Sequence, residues 1–218
     1  MQLAIINGSP RYKNSNSAIL VQQFLKGFQS NSVTTLSYLS GAENRKKAVA
    51  DFASSNTVLI IFPLYTDCMP GIVKEFFEDL IKIESIGQKK IGFIVQSGFP
   101  ESIHSIALER YLEKLTKRLG HIYLGTVIKG GVEGIKIMPP GMTKKLFSQF
   151  EQLGRYFAEF QNFDPQIMKQ LRNPYRLSSL RIMFFKLMSK TGLTNYYWNM
   201  NLKKNNAFEK RFDKPFSM

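Results

Sequence analysis

The sequence predicts an α/β protein: a doubly wound, five-stranded parallel sheet followed by a helical extension. Three observations carry this expectation. Short apolar runs alternate with amphipathic stretches from the N-terminus to about residue 160. One of the runs, Thr57-Val58-Leu59-Ile60-Ile61-Phe62, is almost wholly apolar up to Pro63, the pattern of a strand buried on both faces. Polar, turn-rich segments follow the first, third and fourth strands, where a doubly wound sheet places its ligand. The 218 residues suit one such domain with an addition.

The elements follow in order. Leu3-Ala4-Ile5-Ile6 is a strand that stops at Asn7-Gly8-Ser9-Pro10-Arg11, and a helix begins by Ala18 and runs through Leu25. Val33 to Tyr38 is a second strand, and Glu43 to Ser54 a polar helix. After the third strand, Pro70 precedes a helix over 71–83, whose Ile72, Val73, Phe76, Phe77, Leu80 and Ile81 recur at helical spacing. Lys90 to Gln96 is a strand, Glu101 to Leu119 one long helix, and Ile122 to Ile128 the fifth strand. A loop from Lys129 to Met142 leads to a helix from about Thr143 to Phe160. Strands joined by helices in this way favour a parallel sheet, with the order 2-1-3-4-5 as one of two common solutions.

Composition narrows the chemistry. Hydrophobic residues make up 44% of the chain, and no apolar run approaches the roughly 20 residues that cross a bilayer. No basic segment with a signal-peptide core opens the sequence. One cysteine and two histidines, His104 and His121, leave no material for a disulfide, a four-cysteine cluster or a histidine-built metal site. A cytoplasmic protein without a metal is expected. The net charge is +14 and uneven: residues 1–164 hold 19 Lys and Arg against 14 Asp and Glu, whereas residues 165–218 hold 11 against 2. An appendage with its own role, or an anionic partner, is implied.

Three loops carry the candidate site. The first, Gly8 to Ser17, brings backbone N–H groups to the start of a helix, where the dipole favours an anion such as phosphate. The hydroxyls of Ser9, Ser15 and Ser17 and the Asn16 amide would add donors. It is neither the G-x-G-x-x-G of dinucleotide folds nor a Walker loop. The second, Pro63 to Pro70, is stiffened by two prolines, and exposed N–H groups at Leu64, Tyr65 and Thr66 would rim a flat heteroaromatic ring. Tyr65 would stack on that ring or pack its edge. The third, Ser97-Gly98-Phe99, is small enough for close backbone approach. A phosphate at the first loop and a planar ring across the other two describe flavin mononucleotide, FMN.

The same segments resemble the NAD(P)H-dependent FMN reductases of flavodoxin-like fold, a group that includes iron–sulfur flavoproteins. The resemblance covers roughly residues 1–160 and rests on Gly8-Ser9-Pro10-Arg11 through Ser15-Asn16-Ser17, on Pro63-Leu64-Tyr65 with Asp67, Met69-Pro70-Gly71 and Lys74-Glu75-Phe76, and on the Ser97-Gly98 loop. It implies a flavodoxin-like order 2-1-3-4-5. It also implies FMN, with its phosphate on Ser9, Arg11, Ser15, Asn16 and Ser17 and its ring lined by Pro63, Leu64, Tyr65, Thr66, Ser97 and Gly98. NADH or NADPH would be co-substrate, and a quinone, flavin, nitro or azo compound the electron acceptor. No protein acid or base is required, because the cofactor carries the hydride. The chain departs from the iron–sulfur members in having only Cys68, which cannot hold a cluster. A phosphatase reading of Cys68 also fails: Lys74 stands where the partner arginine would, and Pro70-Gly71 breaks the cradle.

Two classes of function remain open, an enzyme and a flavodoxin-like electron carrier with a protein redox partner. Carriers of that kind are typically acidic, so the basic charge favours the enzyme. The expected domains are 1–163, binding FMN, and 164–218, a basic, aromatic-rich helical extension. In the extension Leu177, Leu180, Phe184, Leu187 and Met188 share a helical face among Arg176, Arg181, Lys186 and Lys190. With Tyr196, Tyr197 and Trp198 this face is expected to pack on protein, across a homodimer. Weak contact with an anionic membrane is the alternative. Nucleic acid is not expected, since no recognised motif accompanies the charge.

Overall fold

A computed structural model describes residues 2–29, 33–83, 86–192 and 195–214. Two compact units divide the chain, Met1–Arg176 and Leu177–Met218. The strands of the first unit are β1 (Gln2–Asn7), β2 (Val33–Tyr38), β3 (Thr57–Pro63), β4 (Lys90–Gln96) and β5 (Ile122–Lys129). All pair in parallel, in the order β2-β1-β3-β4-β5. The helices are α1 (Asn16–Gly27), α2 (Ala42–Ser54), α3 (Gly71–Ile81), α4 (Ile106–Arg118), α5 (Pro140–Phe160) and α6 (Pro165–Arg172). The expected doubly wound, flavodoxin-like sheet is therefore present.

Alternation along the strands sends the apolar residues to two cores. Ala4, Ile6, Val58, Ile60, Phe62, Phe93 and Val95 pack with Phe52 of α2, Phe76 of α3 and Leu112 of α4. On the opposite face Leu3, Ile5, Leu59, Ile61 and Ile94 pack with Phe24 of α1, Phe150 and Phe157 of α5, and Ile167 of α6. All seven residues of β3 are buried, as a central parallel strand requires. Helices α1 and α5 meet at paired glycines: a Cβ on Gly27 would lie 1.8 Å from the Glu151 carbonyl oxygen, and one on Gly154 would lie 2.0 Å from that of Phe24. The two backbones are in contact there, leaving no room for side chains.

Three boundaries differ from expectation. The segment 101–119 is not one helix. A 3-10 turn at Ser102–Ser105 precedes α4, because the Ser102 and Ile103 N–H groups donate to the carbonyls of Pro174 and Tyr175 at 3.0 and 3.2 Å. Helix α5 starts earlier than residue 143, with Pro140 at its first turn, where a missing N–H costs nothing. The first unit continues past 163. Phe163, Ile167 and Leu171 enter its core, and Asp164 caps α6 by accepting from the Gln166 and Ile167 N–H groups. A capping Asp followed by Pro165 is a local helix-start signal.

The second unit contains α7 (Ser179–Lys190), capped by Ser178, and α8 (Tyr196–Lys204). Helix α7 buries none of its residues. The Arg211 guanidinium lies over the Phe208 and Phe212 rings at 3.9 and 4.7 Å. The Tyr197 side chain lies outside the described residues. Among the described residues, no helix is long and apolar enough to cross a membrane.

Candidate functional site

The site lies at the carboxyl ends of the strands, where the order reverses between β1 and β3. A single cavity is lined there by Ser9, Arg11, Ser15 and Asn16 from the loop after β1 and by Pro63, Leu64 and Tyr65 after β3. Gln96, Ser97 and Gly98 after β4 and Glu133 after β5 complete it. Its volume of about 70 Å³ has room for a phosphate-sized group. The cavity is open to solvent, with Arg11, Tyr65 and Gly98 exposed.

The first loop builds itself from the donors that the sequence placed there. Buried Asn7 spans it from below: its Oδ1 accepts from the Ser9 N–H at 2.9 Å, and its Nδ2 donates to Ser15 Oγ at 3.3 Å. Ser15 Oγ donates to the Tyr12 carbonyl at 2.7 Å and caps α1 by accepting from the Ala18 N–H at 3.1 Å. Asn16 Nδ2 donates to the carbonyls of Val132 and Glu133, at 2.9 and 3.3 Å. Ser17 does not line the cavity. It is fully buried behind it, its hydroxyl accepting from Gln96 Nε2 at 3.4 Å. The expectation that these side chains are open donors is thus corrected for Ser15, Asn16 and Ser17, whose polar groups hold the loops together. What the first turn of α1 still offers are its N–H groups at Asn16 and Ser17, which have no intrahelical partner by geometry. Arg11 adds a cation.

The second loop is also corrected. The Leu64 N–H donates to the Gln96 carbonyl at 2.7 Å. The Tyr65 and Cys68 N–H groups exchange bonds with each other's carbonyls at 2.9 Å. Thr66 and Asp67 carry positive φ of 48° and 59°, so residues 65–68 form a tight turn that takes up the Tyr65 N–H expected to face a ring. Thr66 sits in that turn and does not line the cavity. Pro63, Leu64 and Tyr65 still form its wall.

Gln96 and Glu133 are the lining residues that sequence reasoning missed. The loop after β5 reaches the site because Gly130 lets it lie on the loop after β4: a Cβ there would be 2.4 Å from the Phe99 carbonyl oxygen. The glycine pair Gly130-Gly131 at the end of a strand is the signal that could have found it. Glu133 faces Arg11 across the cavity, with Arg11 Nη1 to Glu133 Oε1 at 3.5 Å. Both side chains are substantially exposed, 62% and 40%, so water screens the pair and it is weak. Burial, with Lys145 adding repulsion, holds the Lys129 ammonium below the ordinary lysine range. Burial, with Tyr12 adding to it, pushes the Tyr38 hydroxyl up. The Tyr12 and Tyr38 rings stand 4.5 Å apart beside the first loop.

A parallel α/β sheet in the order β2-β1-β3-β4-β5, with a cavity at its switch point, defines the doubly wound class. The sequence profile described as flavodoxin-like fold matches residues 1–146, and the chain belongs to that family. No curated protein sequence matches it. Among solved structures it is similar to an NADPH-quinone reductase from P. pentosaceus, at 17% identity and TM-score 0.54, over 70% of this chain and 96% of that one. It is similar to an NAD(P)H:quinone oxidoreductase from Methanothermobacter marburgensis, at 13% identity and TM-score 0.54, over 72% and 98%. A third is an FMN-dependent NADH-azoreductase from Bacillus anthracis in complex with FMN, at 16% identity and TM-score 0.53, over 72% and 99%. At these identities the likeness concerns the fold.

Proposed function

We propose that the chain is an FMN-dependent oxidoreductase that takes hydride from NADH or NADPH and passes electrons to a small-molecule acceptor such as a quinone or an azo compound. The observation that carries this reading is the single cavity joining the loop after β1 to the loops after β3 and β4. The solved structures named above support it by their own activities.

The residues present fit FMN. The side of the cavity beside the first turn of α1 suits a phosphate, which the Asn16 and Ser17 N–H groups, Ser9 and Arg11 would hold. Exposed Tyr65 and Gly98, with buried Ser97 between the strands' ends and Pro63 and Leu64 behind, would take the ring. When bound, FMN supplies the hydride and electron chemistry. The protein positions it, with the loop after β5 held in place by the Asn16 carboxamide. An electron carrier would use the same cavity. The +14 charge of the chain favours the enzyme. Anaerobic mixing of the FMN-loaded protein with NADH or NADPH decides between them. Rapid loss of the flavin absorbance is expected, and no loss with either nucleotide would leave the carrier.

Glu133 opposes an anion in this pocket and occupies Arg11. Replacing Glu133 with Gln removes a like charge and releases the guanidinium. The variant is expected to bind FMN about fivefold more tightly, with riboflavin unchanged, since roughly 1 kcal/mol is the scale of a screened charge pair. Titration with both ligands checks this. An equal change for the two would place the phosphate elsewhere.

A further inference from the structure

The second unit presents an apolar surface that its own residues do not cover. On α7, Leu180, Ile182, Met183, Phe184, Phe185 and Leu187 are between 42% and 74% exposed. At helical spacing Leu180, Met183, Phe184 and Leu187 share one side, Lys186 and Lys190 flank it beyond Met183 and Arg181 flanks its other edge, while Ile182, Phe185 and Ser189 stand opposite. Helix α8 adds exposed Tyr196 and Trp198. The charge is one-signed: from Pro165 to Phe208 the sequence holds eight Lys and Arg and no Asp or Glu. The unit Leu177–Met218 carries eight Lys and Arg against two acidic residues.

Charge decides what complements this surface. A second copy of the chain brings the same positive excess, so pairing the two faces would set like charges together. An anionic polymer such as nucleic acid would answer the charge and leave six large apolar side chains in water. A bilayer with anionic headgroups answers both features. Lys and Arg lie among the headgroups, while Leu, Phe, Met and Trp enter the acyl boundary. Since no described helix is long and apolar enough to span, the helix would lie in the plane of the interface.

We infer that helices α7 and α8 form an interfacial anchor that binds the protein to the surface of an anionic phospholipid bilayer. This inference does not depend on the reading of the cavity. Its test uses the full chain with sedimented vesicles, either of phosphatidylcholine alone or with about a third of the lipid as phosphatidylglycerol. Binding to the mixed vesicles at least tenfold above the neutral ones, weakened by salt, is expected. Trp198, the one tryptophan, reports entry by a blue shift of its emission with the anionic vesicles only.

Because α7 buries nothing, its variants keep the fold. The triple variant Arg181→Glu, Lys186→Glu, Lys190→Glu should lose binding by on the order of a hundredfold. Phe184→Ser with Leu187→Ser should abolish the blue shift. Equal binding to both vesicles, or none, overturns the inference. So does a dimer by light scattering that Phe184→Ser with Leu187→Ser dissolves, which would make a second copy the occupant. Tighter binding to a DNA duplex than to the mixed vesicles, unchanged by the same pair, would overturn it as well.

Discussion

Replacing Gly154 with alanine is expected to destabilise the protein by about 3 kcal/mol, the upper end of what overpacking usually costs. The added methyl would sit 2.0 Å from the Phe24 carbonyl oxygen and 2.9 Å from the Phe28 nitrogen. Both are backbone atoms of α1 or its end, so no rotamer change relieves the contact. Alanine gains about 0.5–1 kcal/mol of helix propensity over glycine, too little to offset the clash. The melting temperature should fall by about 6–12 °C. Gly141, in the same helix α5, is the control: nothing lies within 4 Å of its added Cβ. Gly141→Ala should raise stability by a few tenths to about 1 kcal/mol. If both variants melt alike, α1 and α5 do not touch at these glycines.

The second large effect belongs to Asn16. Its carboxamide links the loop after β1 to the loop after β5, through the Val132 and Glu133 carbonyls. Asn16→Ala removes both donors and strands acceptors in a buried setting. A loss of about 1–3 kcal/mol in stability follows, readable by urea unfolding. FMN and riboflavin should both bind more weakly, because the loop that carries Glu133 and lines the cavity is loosened. A selective loss for FMN would instead mean that the Asn16 side chain touches the phosphate directly.

The fold was legible in the sequence because its signals are local. The apolar run of β3, the amphipathic spacing in α3 and the turn residues after β1, β3 and β4 each act over a few residues and agree with one another. The cavity was legible to the same extent, since Ser9, Arg11, Pro63, Leu64, Tyr65, Ser97 and Gly98 sit on those loops. What local spacing cannot give is which groups meet across the chain. Asn16 reads as an open donor until Val132, 116 residues away, takes its amide. Leu64 and Tyr65 read as free N–H groups until the Gln96 carbonyl and a left-handed turn claim them. The excess of basic residues from 165 onward sets α6 apart with the extension. The Asp164-Pro165 start and the Ile167 and Leu171 pair tie it to the first unit instead.

The central claim is that the cavity beside α1 holds the phosphate of FMN. Titrating the purified protein with FMN and with riboflavin, following flavin fluorescence, tests it most directly. The account predicts that FMN binds more tightly than riboflavin by at least tenfold, the worth of one or two charge-assisted hydrogen bonds to the phosphate. It further predicts that Arg11→Ala narrows the gap. Equal affinity for the two, or no binding of either, would contradict it.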